Sequence, residues 1–294
     1  MTKISGIFAA SMSVLNSDLS LNIEKTINHA EKLIDQGCHG TAIFGSTGQS
    51  QLISISEKID FLNKLSRSKY KDKHLIGTGL NSLVETINFM KIANSLNFKK
   101  FLIMPPAYYK YGDSEVIEFY TRIIKSIPEC KIILYNFEKL CGYKFSIDCV
   151  NELVKKFPSQ IVGVKDSSYN LFENLKLENF SVFPGSELKL LKGLQLGCSG
   201  IITATCNVTA EISRKVYDDF HLGKEQSHNQ KLCDVRNAFD KYNLISGLHT
   251  FYSQDDEVYK NVLPPLGLLS KIDEKNLINT LKDLHFTNKS SLAA

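Results

Sequence analysis

The chain has 294 residues, of which 43% are hydrophobic and 22% are charged, and its formal net charge at pH 7 is +4. This composition is that of a globular protein, large enough for one barrel-sized domain or two smaller ones, and it excludes a disordered or fibrous chain. The small net charge, without a basic cluster, does not suggest a nucleic-acid partner, and no run approaches the roughly 18 apolar residues of a membrane helix.

The cysteines indicate the compartment. The chain has 7 of them, an odd number, and no two form a C-x-x-C pair. We interpret them as reduced thiols rather than as a disulfide framework. Residues 1–10 lack the apolar core and cleavage site of a signal peptide. The sequence therefore predicts a cytoplasmic protein that spans no membrane.

Eight short apolar runs alternate along the chain with longer segments of helical periodicity. The runs are typical of strands that are buried on both faces. The segments between them carry apolar stripes, for example Ile23, Ile27 and Ala30 in the first. Ser54 and Glu57 form the S-x-x-E pattern that caps the start of a helix. The predicted strands are 4–10, 40–44, 74–77, 100–104, 131–135, 161–164, 180–183 and 200–203.

Eight strand–helix units predict a closed parallel barrel. Each strand must be covered on both faces, and right-handed crossovers bring successive strands side by side. The expected fold class is therefore α/β, a (β/α)8 TIM barrel. An open, doubly wound sheet is the alternative, supported by a partial dinucleotide-binding pattern from Gly77 to Ser82. In that pattern Ser82 replaces the third glycine and no acidic residue follows at the required distance.

The alternation stops near residue 222. Beyond it, 225–248 and 274–284 have helical patterns, joined by a polar, turn-rich link. We predict a catalytic barrel over residues 1–222 and a C-terminal helical region, 223–294, that packs on the barrel as an appendage.

Polar residues follow five of the predicted strands at their carboxyl ends. In a (β/α)8 barrel these ends share one face, on which active sites are built. Taken singly, each residue has a simpler interpretation: a lysine turned to solvent, a packed tyrosine, a helix cap, or an acid that complements a helix dipole. Their convergence on one rim favours a functional site. The residues are Gly45-Ser46-Thr47-Gly48, Tyr108-Tyr109, Tyr135, Lys165 and Gly185-Ser186-Glu187.

This set is suited to imine chemistry. A lysine held out of water can attack a ketone as a neutral amine and form a Schiff base, which then withdraws electrons from the neighbouring carbon. A tyrosine hydroxyl linked to a threonine can carry the proton. Exposed backbone N–H groups in Gly45-Ser46-Thr47-Gly48 can hold the carboxylate of a 2-keto acid. No metal or cofactor is needed, because the substrate binds covalently to Lys165.

Three motifs resemble those of a known family. Gly45-Ser-Thr-Gly48, Tyr135-Asn136 and Gly163-Val-Lys165 are similar, in order and spacing, to the signatures of the dihydrodipicolinate synthase and N-acetylneuraminate lyase family of class I aldolases. The resemblance runs from residue 4 to about residue 284. It implies a Schiff-base lyase acting on pyruvate or a 2-keto-3-deoxy acid, with Lys165 forming the imine.

The resemblance also implies roles for other residues. Tyr135 would be the general acid and base, and Thr47 and Tyr108 would complete its proton relay. Tyr108 would serve the site of a neighbouring subunit, in a homodimer or a dimer-of-dimers homotetramer. The residues expected to contact or line the substrate are Ser46, Thr47, Gly185, Glu187, Ile202 and Leu140.

Departures from the family patterns bear on the substrate. Dihydrodipicolinate synthases usually have an arginine where this chain has Leu140, and Lys139 cannot reproduce its bidentate grip on a carboxylate. Sialate lyases carry two successive acids where this chain has Glu187-Leu188. Gln49 replaces a usual glutamate, and Glu138 a usual proline. We therefore expect the aldehyde to be small and hydroxylated, as in 2-keto-3-deoxy sugar-acid aldolases.

Three alternatives stay open at this point. The first is dihydrodipicolinate synthase itself, condensing pyruvate with aspartate semialdehyde. The second is a barrel that binds a keto acid as a sensor without turnover. The third, a metal-dependent aldolase, needs clustered ligands at strand ends, whereas His29 falls inside a helix and His74 at the wrong end of its strand.

Overall fold

The computed structural model describes residues 3–287. Eight parallel strands pair in the order β7-β6-β5-β4-β3-β2-β1-β8. The Ser199 N–H donates to the Val182 carbonyl at 2.8 Å, which brings the β7 and β8 ends together and closes the barrel. The predicted barrel is confirmed. The strands are β1 Gly6–Ala10, β2 Gly40–Ile43, β3 His74–Gly77, β4 Lys100–Ile103, β5 Lys131–Asn136, β6 Ile161–Asp166, β7 Ser181–Pro184 and β8 Gly200–Thr203.

Helices follow the strands around the outside of the barrel and continue beyond the last strand. Short 3-10 turns lie at Ser50–Leu52, Lys71–Lys73, Glu187–Lys189 and Glu257–Lys260. None of the helices in 3–287 is both long and apolar enough to cross a membrane. The α-helices are α1 Ile23–Asp35, α2 Ile55–Leu65, α3 Leu83–Ser95, α4 Asp113–Ser126, α5 Glu138–Cys141, α6 Ile147–Lys156, α7 Leu190–Gln195, α8 Cys206–His221, α9 Asn229–Asp240, α10 Leu244–Tyr252 and α11 Lys271–Asp283.

Alternation along the strands separates two apolar layers. Because successive strand residues point to opposite faces, β5 places Ile132 and Leu134 against the helices, whereas Ile133 and Tyr135 face the barrel interior. The interior cluster also receives one side chain from most of the other strands, including Phe8, Leu102, Phe183 and Ile202. The interior is thus filled with side chains up to the level at which Tyr135 lies.

Between residues 223 and 287 the chain forms three α-helices rather than the predicted two. The predicted helix over 225–248 is wrong, because α9 ends at Asp240 and α10 begins at Leu244. Asn243 breaks the chain there: its side-chain oxygen accepts hydrogen bonds from the backbone N–H groups of Ile245 and Ser246 at 3.0 and 3.2 Å. Asparagine is a favoured N-cap residue, so a separate helix starts at this position.

The C-terminal helices share a hydrophobic cluster with the barrel. Leu232 of α9, Leu248 of α10 and Leu277 of α11 pack with Ile7 of β1 and Ile201 of β8. This common cluster fixes α9 and α10 beside the carboxyl ends of the strands. The division into a barrel over 1–222 and an appendage over 223–294 stays a prediction.

Candidate active site

Lys165 lies inside the barrel, one residue before the end of β6. The strand continues to Asp166, two residues beyond the predicted run 161–164, so Lys165 is part of β6. Val164 packs against the helices, and the alternation of the strand turns Lys165 to the interior. Its side chain is 3% exposed. Burial of a lysine on this face places an amine at the floor of the cavity described below.

Tyr135 is the direct neighbour of Lys165. The two residues are register partners on β5 and β6, and the Lys165 Nζ lies 4.1 Å from the centroid of the Tyr135 ring. An amine over the face of an aromatic ring is favoured by the ring quadrupole when it is protonated. The Tyr135 ring is buried in the interior cluster, so both groups are held in fixed positions.

The hydroxyl partner of Tyr135 is Ser46. Their side-chain oxygens are 3.0 Å apart. Thr47, expected in the proton relay, makes no hydrogen bond to Tyr135 in the described chain, so the hydroxyl that contacts Tyr135 is that of Ser46. Two adjacent hydroxyls in a turn point in different directions, and the sequence motif does not show which of them faces the tyrosine. Thr47 still lines the cavity.

The turn that carries Ser46 and Thr47 packs closely against the segment that follows β1. The Ser13 hydroxyl donates to the Gly48 carbonyl at 2.7 Å, and a Cβ at Gly48 would lie only 2.9 Å from the Ser11 carbonyl oxygen. Gly48 is therefore needed for this close approach. Within the described chain, the backbone N–H groups of Ser46 and Thr47 have no hydrogen-bond partner, which leaves them available to an anion.

Behind the two strand ends, a buried network fixes their geometry. Asn136 and Asp166, the residues that follow Tyr135 and Lys165, are joined by a hydrogen bond of 2.8 Å from the Asn136 amide. The Asp166 carboxylate also accepts from the backbone N–H groups of Tyr169, Leu171 and Phe172 at 2.8–2.9 Å. A buried carboxylate with four donors is well satisfied, so this pair anchors both strands and the loop after β6.

A two-lobed cavity opens above Lys165 and Tyr135. The polar lobe, about 600 Å³, is lined by Lys165 itself and includes Gly185, where a Cβ would meet the Ser167 hydroxyl at 2.3 Å. The apolar lobe, about 260 Å³, includes Phe44 and Met104. The residues that line both lobes are Ser46, Tyr135, Leu140 and Ile245.

Leu140 and Gly185 lie in the cavity wall, as expected for residues near the substrate. Leu140 is 43% exposed and brings no charge to the wall that it forms. Ile202 does not reach the wall: it is fully buried in the interior cluster with Tyr135. Ala204, two residues further on, lines the polar lobe in its place.

Glu187 does not face the cavity, which corrects the prediction that it contacts the substrate. It is 0% exposed, and its carboxylate accepts hydrogen bonds from the hydroxyls of Thr203 and Thr205 at 2.8 and 2.9 Å. The guanidinium of Arg236 donates to it at 3.0 Å. The acid after β7 is therefore held in a buried ion pair with Arg236 of α9.

Gln49 and Glu138, the two departures from the family pattern, have distinct surroundings. The Gln49 side chain accepts from the Leu263 N–H at 2.8 Å, and its amide nitrogen lies 3.2 Å from the His249 Nε2. Burial lowers the pKa of His249 to about 4, so the ring is neutral and can accept that bond. Glu138 lines the polar lobe and pairs with Lys144 at 3.3 Å.

Tyr108 lies outside the cavity of its own chain. Its side chain is 89% exposed, its backbone φ is +90°, and its ring packs edge-on against Tyr109 with centroids 5.1 Å apart. A strained backbone that presents two large aromatic rings to solvent is uncommon. Within one chain, Tyr108 is not brought together with Tyr135.

Several residues that line the polar lobe were not expected from the sequence. Arg236, Asp240 and Tyr242 come from the C-terminal helical region, which was not expected to contribute to the site. The signal that could have found them is an arginine placed in the apolar stripe of α9, beside Val235 and Phe239. A buried arginine requires acidic partners.

Among residues 3–287, no three His, Cys, Asp or Glu side chains are grouped so that they could hold a metal ion.

Comparison with known proteins fits this geometry. The model of the dihydrodipicolinate synthetase family matches residues 3–284. The chain belongs to the dihydrodipicolinate synthetase family. It is therefore an enzyme of the lyase class, a pyruvate-dependent aldolase that works through a lysine imine without a cofactor. Members of this family act on small keto acids and assemble into oligomers.

Individual relatives carry different activities in their names. A 4-hydroxy-tetrahydrodipicolinate synthase of Methanoculleus marisnigri is 30% identical over 71% of this chain and 72% of its own length. A 2-dehydro-3-deoxy-D-gluconate/2-dehydro-3-deoxy-phosphogluconate aldolase of Picrophilus torridus is 27% identical over 76% and 85%. The structure of 4-hydroxy-tetrahydrodipicolinate synthase from Methylacidiphilum fumariolicum superposes with a TM-score of 0.88 at 22% identity, covering 96% of each chain, and supports the fold alone.

Proposed function

We propose that the protein joins pyruvate to, or releases it from, a small hydroxylated aldehyde through an imine at Lys165. The observation that carries this proposal is the contact between the Lys165 Nζ and the Tyr135 ring, at 4.1 Å, on the floor of the cavity. The Lys165 amine attacks the keto carbon of pyruvate, water leaves, and a protonated imine forms. Transfer of a methyl proton to the Tyr135 oxygen gives an enamine, whose carbon attacks the aldehyde.

The remaining side chains supply binding and proton transfer. The free N–H groups of Ser46 and Thr47 hold the pyruvate carboxylate. The Tyr135 hydroxyl, bonded to Ser46, gives a proton to the new alkoxide in synthesis and takes it back in cleavage. Water then hydrolyses the product imine and frees Lys165.

The seven cysteines are free thiols, six of them buried, which supports a cytoplasmic location.

Leu140 favours a hydroxylated aldehyde over aspartate semialdehyde. A synthase that condenses aspartate semialdehyde must bind a second carboxylate, and Leu140 offers no donor in the wall that both lobes share. The aldolase of Picrophilus torridus, by its name, acts on 2-dehydro-3-deoxy sugar acids, whereas the Methanoculleus marisnigri relative is named as the synthase. The second candidate function is therefore dihydrodipicolinate synthesis.

The two candidate functions are separated by incubating the purified enzyme with pyruvate and, in parallel, aspartate semialdehyde or a panel of hydroxyaldehydes that includes glyceraldehyde. We expect condensation with glyceraldehyde at a kcat/KM at least about tenfold above that with aspartate semialdehyde. Preferred condensation with aspartate semialdehyde would identify the synthase. Binding of pyruvate without turnover across the whole panel would favour the sensor.

Tyr108 is proposed to complete the active site of a neighbouring subunit, in a homodimer or a homotetramer. Its 89% exposure and its absence from the cavity of its own chain support this. Mixing inactive Tyr108→Ala and Lys165→Ala subunits tests it. A hybrid dimer would contain one site with both native residues, so activity should return to about a quarter of wild type on random mixing of dimers. If mixing restores nothing although hybrids form, Tyr108 does not act across the interface.

A further inference from the structure

The end of α9 forms one wall of the polar lobe and carries two charged residues that face it. Arg236 is 6% exposed and Asp240 is about one-third exposed, and both line the lobe together with Lys165. The Arg236 Nε donates to the Asp240 Oδ1 at 2.9 Å. The two residues are one helical turn apart, so a single bond fixes both side chains on the same wall.

The positive charge of Arg236 is already used within the protein. Its Nη1 lies 3.0 Å from the Glu187 carboxylate and donates to the hydroxyls of Thr203 and Thr205 at 2.9 and 3.0 Å. Burial alone would lower the pKa of Arg236, but Glu187 and Asp240 outweigh it and raise the pKa above its usual value. One guanidinium thus pairs with two carboxylates, so Arg236, Glu187 and Asp240 together carry a formal charge of −1.

The second carboxylate oxygen of Asp240 is open to the cavity. Within residues 3–287, the bond from Arg236 reaches only Oδ1, and Oδ2 has no hydrogen-bond partner. Three further charged side chains line the lobe, Glu138, Lys139 and Lys165, and in the pyruvate-loaded enzyme the positive charge of the Lys165 imine is opposed by the pyruvate carboxylate. Glu138 is paired with Lys144, and Lys139 is exposed, so water and salt screen it. A ligand that reaches the α9 wall therefore meets an acceptor with a negative charge.

We propose that Asp240 is the specificity-determining residue of the polar lobe, which takes neutral, hydroxylated aldehydes and excludes those with a phosphate or carboxylate tail. The inference rests on the proposed function, because it places the aldehyde in the lobe above Lys165. A sugar hydroxyl donates to the Asp240 Oδ2, and a charge-assisted bond of this kind is strong. An anionic tail would instead face a like charge, with Arg236 unable to leave Glu187.

The test compares glyceraldehyde with glyceraldehyde 3-phosphate as partners for pyruvate in wild type and Asp240→Asn. Asparagine keeps the size and the bond to Arg236 but removes the charge. We expect wild type to prefer the neutral aldehyde by at least about tenfold in kcat/KM, and Asp240→Asn to narrow that ratio by about tenfold. Asp240→Glu should keep the wild-type preference. Asp234→Asn, on the same helix but outside the cavity, is the matched control.

Binding gives the same comparison without turnover. The affinities of the pyruvate-loaded enzyme for glycerol 3-phosphate and for glycerol are measured by calorimetry at fixed ionic strength. A gain of about tenfold for glycerol 3-phosphate in Asp240→Asn, absent in Asp234→Asn, supports the inference. The inference is overturned if, in both experiments, the preference for the neutral over the phosphorylated ligand in Asp240→Asn stays within twofold of that in wild type. Failure of pyruvate to form an adduct at Lys165 would instead overturn the proposed function, and the two affinities would then be measured on the free enzyme.

Discussion

Lys165→Arg is expected to abolish both turnover and the trapping of pyruvate by borohydride. Reduction of the wild-type imine should leave one covalent adduct per chain, with the mass of a reduced pyruvyl group, on the peptide that contains Lys165. Arginine keeps the positive charge and most of the length, but its guanidinium cannot form the imine. The loss should exceed the range of about 10²–10⁴-fold typical of a general acid or base, because no covalent route remains.

The chain provides an internal competitor for this labelling. Lys58 is fully buried, and burial lowers its pKa to about 8, so part of it is a neutral amine near pH 7. Its Nζ donates to the Thr78 carbonyl at 3.0 Å and does not line either lobe. Peptide mapping must therefore find the adduct on Lys165; an adduct on Lys58 would refute the mechanism. Lys125→Arg, at an exposed position on α4, should label and turn over like wild type.

The barrel was predictable because its signals are local. Strand runs, helical stripes and turns repeat eight times, and each pattern spans only a few residues. The ends of the strands were less predictable, because the structure adds residues beyond the apolar run. Lys165 and Asp166 stay in β6 since Asp166 is bonded to Asn136 of β5, a partner 30 residues away. A polar residue after an apolar run does not reveal whether the ladder continues.

Several residues of the site could not be placed from the sequence because their positions depend on distant partners. Glu187 carries the right chemistry at the end of β7, but its charge is taken by Arg236, 49 residues later. Ser46 and Thr47 both carry a hydroxyl, so the motif does not show which of them contacts Tyr135. In the structure the contact is made by Ser46. Asp240 could not be placed, because a continuous helix was predicted over 225–248. The break after Asp240, which leaves the end of α9 beside the cavity, was not predicted.

Tyr135→Phe should slow carbon–carbon bond formation and cleavage by about 10²–10⁴-fold, the usual contribution of a general acid or base. Phenylalanine keeps the ring that packs in the barrel interior and lies 4.1 Å from the Lys165 Nζ, so only the hydroxyl is lost. We therefore expect the thermal midpoint of unfolding to change little.

Two measurements together isolate the role of the Tyr135 hydroxyl. Turnover with pyruvate and glyceraldehyde reports the full reaction, whereas borohydride trapping at equilibrium reports imine formation alone. In Tyr135→Phe, turnover should fall while the equilibrium yield of trapped pyruvate stays near wild type, because the Lys165 amine and the N–H groups of the Ser46 turn are unchanged.

Ser46→Ala, which removes the partner of the Tyr135 hydroxyl 3.0 Å away, should lower turnover less. Tyr143→Phe, which deletes a hydroxyl bonded to Asp113 outside the cavity, should not lower it. Turnover near the wild-type rate in Tyr135→Phe would mean that another group carries the proton.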